Sequence, residues 1–161
     1  MEKEKKLTPG RLNVIFGKSG EFLIIHKLME HKPEYEIYTP ILDMNHSDCI
    51  IRNQKGDYLR LQIKTSRASH NGNKLHADGS IEKYANIHLG ANVENLNFDY
   101  LVCAILDLQK ESYSYYIIPK KEIEPYSNCV RLTINPVVYH KFDNYLDSWH
   151  LLDNIQNGTN E

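Results

Sequence analysis

The chain has 161 residues, 41% of them apolar and 25% charged, with a mean hydropathy of -0.54, enough for one hydrophobic core and hardly for two. Nineteen basic against 21 acidic residues leave a formal charge of -2, which excludes a globally polybasic nucleic-acid binder while leaving room for a local basic groove. No run reaches the roughly 18 apolar residues of a membrane helix, and the opening MEKEKKLTPGRLNVI lacks the apolar stretch of a secretory signal, so one cytoplasmic domain, 1–161, away from membranes is the expectation.

In chain order, the charged opening up to Pro9 and Gly10 reads as a tail, with 1–12 and 154–161 as flexible ends. From Asn13 to about Glu30 the apolar residues Ile15, Phe22, Ile25, Leu28 and Met29 recur at helical spacings, predicting an amphipathic helix ended by Pro33. Gly17 and Gly20 each cost that helix about 1 kcal/mol relative to alanine, which implies a close approach to its backbone. A strand over Glu36 to Thr39 follows, then the hairpin DCIIRNQKGDYLRLQIKTSR. Residues 68–84, rich in Ser, His, Asn and Gly, read as a long exposed loop. Strands are expected at Tyr100 to Leu106, Ser114 to Ile118 and Val130 to Ile134, with helices opening at Pro119 and spanning Val138 to Leu152. The sum is an α/β domain whose central sheet carries helices on its faces, with YLVCAIL a strand covered on both sides. Cys49, Cys103 and Cys129 stand singly in apolar runs, as buried reduced thiols, and the eight histidines form no zinc motif.

The hairpin carries the chemistry. If Gln54, Lys55 and Gly56 form a three-residue loop with Gly56 left-handed, Asn53 faces Asp57, and counting back sets Asp48 opposite Gln62. Lys64 shares the face of Gln62, while Leu61, Ile63 and Thr65 point away. His46 falls across from Lys64. An acid, an amide and an ammonium are thus gathered beside a face that the first helix is expected to cover. Asp48, the Gln62 amide oxygen and the Ile63 carbonyl form an all-oxygen set suited to magnesium, and Lys64 beside them suits orienting water or neutralising a phosphoryl oxygen.

With GKSGE on the helix, Asp48 in a strand and QIK on the next, the pattern resembles the PD-(D/E)XK nuclease superfamily, in the variant with a Gln-x-Lys motif found in some intron-encoded homing endonucleases. The resemblance covers roughly 14–67, and FDYLVCAILDLQKESYSYYIIPKKEIE is similar to the strand and hairpin that follow in related proteins. It implies a restriction-endonuclease-like core with a central mixed β-sheet flanked by helices, and cleavage of DNA phosphodiester bonds with Mg2+, or Mn2+ in its place. Asp48 would be the principal metal ligand, Gln62 would stand where a carboxylate is usual, and Lys64 would be the catalytic lysine. Glu21 would be the helix acid at the metal. Ser47 replaces the name-giving proline, and Gln62 removes one negative charge.

The same residues have plainer readings: Asp48 as a strand cap, Lys64 as a solvated edge residue and Glu21 as a helix-dipole acid. GKS is no phosphate-binding loop, since Leu12 stands where the motif requires glycine. Asp43 is an alternative ligand if the register slips. Arg52, Lys55, Arg60, Lys64 and Arg67 form a basic patch able to hold phosphates, with Arg52, Arg60, Arg67 and Lys74 the expected DNA contacts and His70, Asn71, Asn73 and His76 beside Lys74. The tyrosines read as core and cross-strand residues. The leading expectation is a DNA endonuclease acting as a homodimer or higher homo-oligomer, because cutting two strands needs two sites. The alternative is an inactive nuclease-fold module that binds nucleic acid or a protein partner.

Overall fold

The computed structural model describes residues 8–40, 47–75, 77, 79, 81–134 and 139–153, with side chains described outside 70–75 and 81. Asp43, His46 and His76 and the ends 1–7 and 154–161 lie outside the described residues. The helix α1 (Pro9–His31) starts four residues before the apolar periodicity does. Thr8 is its N-cap, accepting the Arg11 N–H at 3.4 Å, and Pro9 occupies the first turn, where its missing N–H costs nothing. Thr8-Pro9-Gly10, expected as tail, is therefore a helix start. At the other end the Lys32 N–H bonds the Leu28 carbonyl, and Pro33 prevents continuation.

Eight strands follow in order: β1 (Glu36–Tyr38), β2 (Cys49–Arg52), β3 (Tyr58–Arg67), β4 (Ser69–Leu75), β5 (Ile81–His88), β6 (Tyr100–Asp107), β7 (Ser112–Pro119) and β8 (Cys129–Ile134). The central sheet runs β1-β2-β3-β6-β7, mixed because β3 and β6 are parallel and the other pairs antiparallel. The second, antiparallel sheet runs β4-β5-β8. The α/β class and mixed central sheet are as the sequence implied.

Three expectations are corrected. Residues 69–75 and 81–84 belong to strands, not to a loop. Their polarity belongs to an edge: β4 pairs on one side only, with an irregularity between His70 and Leu75, and edge strands tolerate polar sequence. No α-helix forms near the C-terminus among the described residues; Asp143–Tyr145 and Trp149–Asp153 are 3-10 turns, separated by Asp147 at φ 48°, a left-handed conformation no helix accommodates. Lys120–Glu122, expected to open a helix, is likewise one 3-10 turn.

The central sheet separates two cores. On one face α1 and the Trp149–Asp153 turn bury Ile24, Leu28, Trp149 and Leu152 against Leu61, Ile63, Val102 and Ile117. On the other, the second sheet buries Ala85, Ile87, Val130 and Leu132 against Leu101, Cys103, Ile105 and Ile118. β6 feeds both cores, as its unbroken apolar run predicted, but the second cover is a sheet rather than helices. Of the expected stripe, Leu28 lies in the core with Gly20 and Ile24, and Ile25 packs against it, while Ile15, Phe22 and Met29 face outward. Gly20 is where backbone meets sheet: a Cβ there would lie 1.8 Å from Thr65 Oγ1, whereas one on Gly17 would meet nothing within 4 Å.

Candidate active site

The β2–β3 turn sets everything that follows. Gly56 takes φ +91°, the Asn53 N–H bonds the Asp57 carbonyl at 2.9 Å, and Asn53 Oδ1 accepts the Lys55 and Asp57 N–H groups at 3.0 Å each. This register pairs Cys49 with Leu61, where the ladder ends; Asp48, one residue before, meets Gln62 through its side chain.

At Asp48 the backbone ladder gives way to a side chain. The Asp48 N–H still bonds the Leu61 carbonyl at 2.9 Å, but the next donor on β3, the Ile63 N–H, goes to Asp48 Oδ2 at 2.8 Å. Gln62 Nε2 donates to the same oxygen. The Ile63 carbonyl leaves its strand on the same edge as its N–H, so it too faces the point where β2 ends. Gln62 is buried and Lys64 partly so, one pleat further along the same face. Burial raises the Cys49 thiol to about 12, with the Asp48 charge adding to the effect. Burial also raises Cys103, opposite Lys64 in the β3–β6 register, against a smaller pull from the Lys64 ammonium.

Asp48, Gln62, Ile63 and Lys64 are therefore brought together. Glu21 is not brought together with them. It is bonded to Lys18 at 2.7 Å on its own helix, and α1 packs on the Thr65 side of β3, opposite Gln62 and Lys64. One residue on from Gly20 is about 100° of helix rotation, so Glu21 leaves the flank of α1 at the height of Thr65. The expectation that α1 covers the face carrying Gln62 and Lys64 is corrected: it covers the reverse.

The basic residues divide by the same pleat. Pairing Ile50 with Arg60 and Arg52 with Tyr58 puts Arg52 and Arg60 on the face of Asp48, Gln62 and Lys64. The second sheet's core takes no buried residue from β1, β2 or β3, but β5 packs beside β3 and Gln62 is buried, so the ledge beside that sheet is open at Arg52 and Tyr58 rather than at Gln62. Arg52 contacts Glu36 at 3.3 Å, and Arg60 is tied to Asp99 through its backbone N–H at 2.7 Å and its guanidinium at 3.0 Å and 3.2 Å. Arg67 lies on the reverse face, its guanidinium 4.5 Å from the centre of the Phe16 ring. Lys74 lies on β4, with its side chain outside the description.

Among the described residues no three His, Cys, Asp or Glu side chains cluster to hold a metal. The donor set is instead one carboxylate, one amide and one carbonyl, which suits a hard cation that keeps several waters. A half-turn of the Gln62 amide would exchange its NH2 for its oxygen at Asp48. A cavity of about 970 Å³ lined by Leu59, Phe98, Asp99, Tyr100 and Lys120 contains none of Asp48, Gln62 and Lys64. Sequence reading missed Ile50 and Tyr58 as neighbours on the ledge, although the same period of two that found Gln62 and Lys64 marks them.

No family model matches the chain, and no curated protein matches it in sequence. Among solved structures, that of a bacterial homing endonuclease, I-Ssp6803I, superposes with a TM-score of 0.56 over 85% of this chain and 88% of that one, at 16% identity. The two share a fold. No helix among the described residues is long and apolar enough to cross a membrane.

Proposed function

We propose that the protein is a magnesium-dependent DNA endonuclease of the PD-(D/E)XK type, hydrolysing phosphodiester bonds on the ledge of β2 and β3. One observation carries the reading: the Asp48 carboxylate meets Gln62 and the Ile63 edge where two strands part, with Lys64 next on that face. The fold shared with a bacterial homing endonuclease supports it, and so do Arg52 and Arg60 on the same face.

Asp48, the Gln62 amide oxygen and the Ile63 carbonyl would hold the cation, without Glu21, which stands on the helix over the reverse face and is bonded to Lys18. Bound there, Mg2+, or Mn2+ in its place, supplies Lewis-acid charge to a phosphoryl oxygen. Asp48 fixes the position, because the Ile63 backbone N–H and the Gln62 side-chain amide hold its carboxylate at the strand end. Lys64 holds water or neutralises charge growing on the phosphate. Arg52 and Arg60 line the approach of the DNA backbone, whose charge dominates such binding. Gln62 in place of a carboxylate leaves the site one negative charge short, which weakens its hold on the ion.

Nicking of supercoiled plasmid in Mg2+ or Mn2+ tests the reading. Cleavage is expected from the native chain, with Lys64→Ala lowering the rate by about 100-fold or more at unchanged folding. Intact DNA across substrates and metals, or equal cutting by Lys64→Ala, contradicts it.

A further inference from the structure

The outward face of α1 has the pattern of a coiled-coil seam. Leu12, Ile15, Ser19, Phe22, His26 and Met29 follow one another at alternating steps of three and four, and every one is exposed. This row lies opposite Gly20, Ile24 and Leu28, which hold the core. A large apolar side chain exposed to solvent by 71%, as Phe22 is, with Met29 at 59%, Ile15 at 51% and Leu12 at 46%, has no folding role on that side. Together they expose on the order of 400 Å² of apolar surface, the size at which a patch marks an interaction site.

From this we infer that α1 pairs with α1 of a second copy of the chain, antiparallel about a two-fold axis between Gly20 and Glu21. The occupant follows from self-complementarity. Antiparallel pairing sets Leu12 against Met29, Ile15 against His26 and Ser19 against Phe22, so each bulky Phe22 meets the smallest side chain of the row. Ser19 also borders a cavity of about 420 Å³ lined by Leu12, Ile15, Phe16 and Arg67, on the helix that presents Phe22. An exposed knob and a hole at two-fold positions of one surface are what an isologous contact needs.

Charge agrees. Lys18 is bonded to Glu21, and Lys27 and His26 are bonded to Glu30, so the row carries little net charge. Reversing one helix brings Arg11 near the end of the other that carries Glu30, and sets the helix dipoles in the favourable opposed sense. Two copies of the apolar row bury about 800 Å², and flanking Phe16, Leu23 and Ile25 extend this toward the roughly 1,200 Å² at which specific interfaces begin. The pairing stands independently of the chemistry on the ledge, since α1 covers the reverse face of the sheet.

Sedimentation equilibrium of the full chain tests it. The native chain is expected to be dimeric, and Phe22→Glu to raise the dissociation constant by about 100-fold or more with the folded monomer's thermal melt preserved, because Phe22 is largely exposed there. In a Cys129→Ser background, oxidised mixtures of Leu12→Cys and Met29→Cys chains should cross-link, and Leu12→Cys alone should not. A monomeric native chain, a dimer indifferent to Phe22→Glu, or self-linking of Leu12→Cys without the mixed product would overturn the proposal.

Discussion

Asp48 has two tasks, and they separate on substitution. Its carboxylate ends the β2 ladder by accepting from Ile63 and Gln62, and it is the charge the proposed cation needs. Asp48→Ala strands both donors and should cost about 1–3 kcal/mol in urea denaturation. Asp48→Asn, with its amide oxygen in the place of Oδ2, keeps the acceptor that the Ile63 N–H and Gln62 Nε2 share. Its stability should stay near that of the native chain while nicking is lost; equal losses of stability in the two variants, or full nicking by Asp48→Asn, would refute the separation of the two tasks. This residue was legible because a turn glycine and a period of two fix it locally.

The buried pair of Lys83 and Asp107 was not legible. It joins β5 to the end of β6 at 2.6 Å and 2.7 Å, and no local pattern signals a contact 24 residues long. Burial works to raise the Asp107 carboxyl, but the Lys83 bonds and the Gln109 and Lys110 N–H groups outweigh it, and the net shift is downward. A carboxyl held low stabilises the fold above its unfolded value, and that contribution disappears as pH falls through the folded one. Lys83→Met should cost about 3–5 kcal/mol at neutral pH, by leaving a buried carboxylate with the Gln109 and Lys110 N–H groups but without its cation. Burial then holds that carboxyl high, so the deficit should shrink as pH falls into the carboxylate range. A deficit constant with pH in denaturant titrations would refute this account of the pair.

Among elements, α1 shows where sequence pattern misleads. Its apolar residues surround the helix, so periodicity found a real stripe and assigned it to the core, while the true core face begins with a glycine that no hydrophobic count registers. The two glycines discriminate. Gly20→Ala drives a Cβ into Thr65 and should destabilise by about 1–3 kcal/mol, lowering the melting temperature by about 2–4 °C per kcal/mol. Gly17→Ala meets open space and should raise it, by the helix-propensity gain of about 1 kcal/mol. Similar shifts in both variants would refute the close packing of Gly20 on β3. The β2–β3 hairpin was readable in full, because its turn chemistry is local. The β4–β5 pair was not, because an edge strand needs no apolar alternation to pair.

For the whole molecule, the mixed sheet and its doubly covered central strand followed from the sequence, and the second covering layer did not. An antiparallel sheet and a set of helices bury the same kind of surface on β6, so its apolar run cannot tell them apart. That layer covers β6 and β7, and β5 also packs beside β3, so Gln62 is buried while Asp48 and Lys64 stay partly exposed. The Trp149–Asp153 turn shares one face with α1, while Phe142 and Tyr145 beside the Asp143–Tyr145 turn pack on the second sheet's core.

Calorimetric titration of the full chain with Mn2+, in parallel with Asp48→Ala, tests the central claim most directly. The ledge predicts a saturable binding event in the native chain that disappears in the variant. Absence of binding in the native chain, or an identical isotherm in Asp48→Ala, would contradict it.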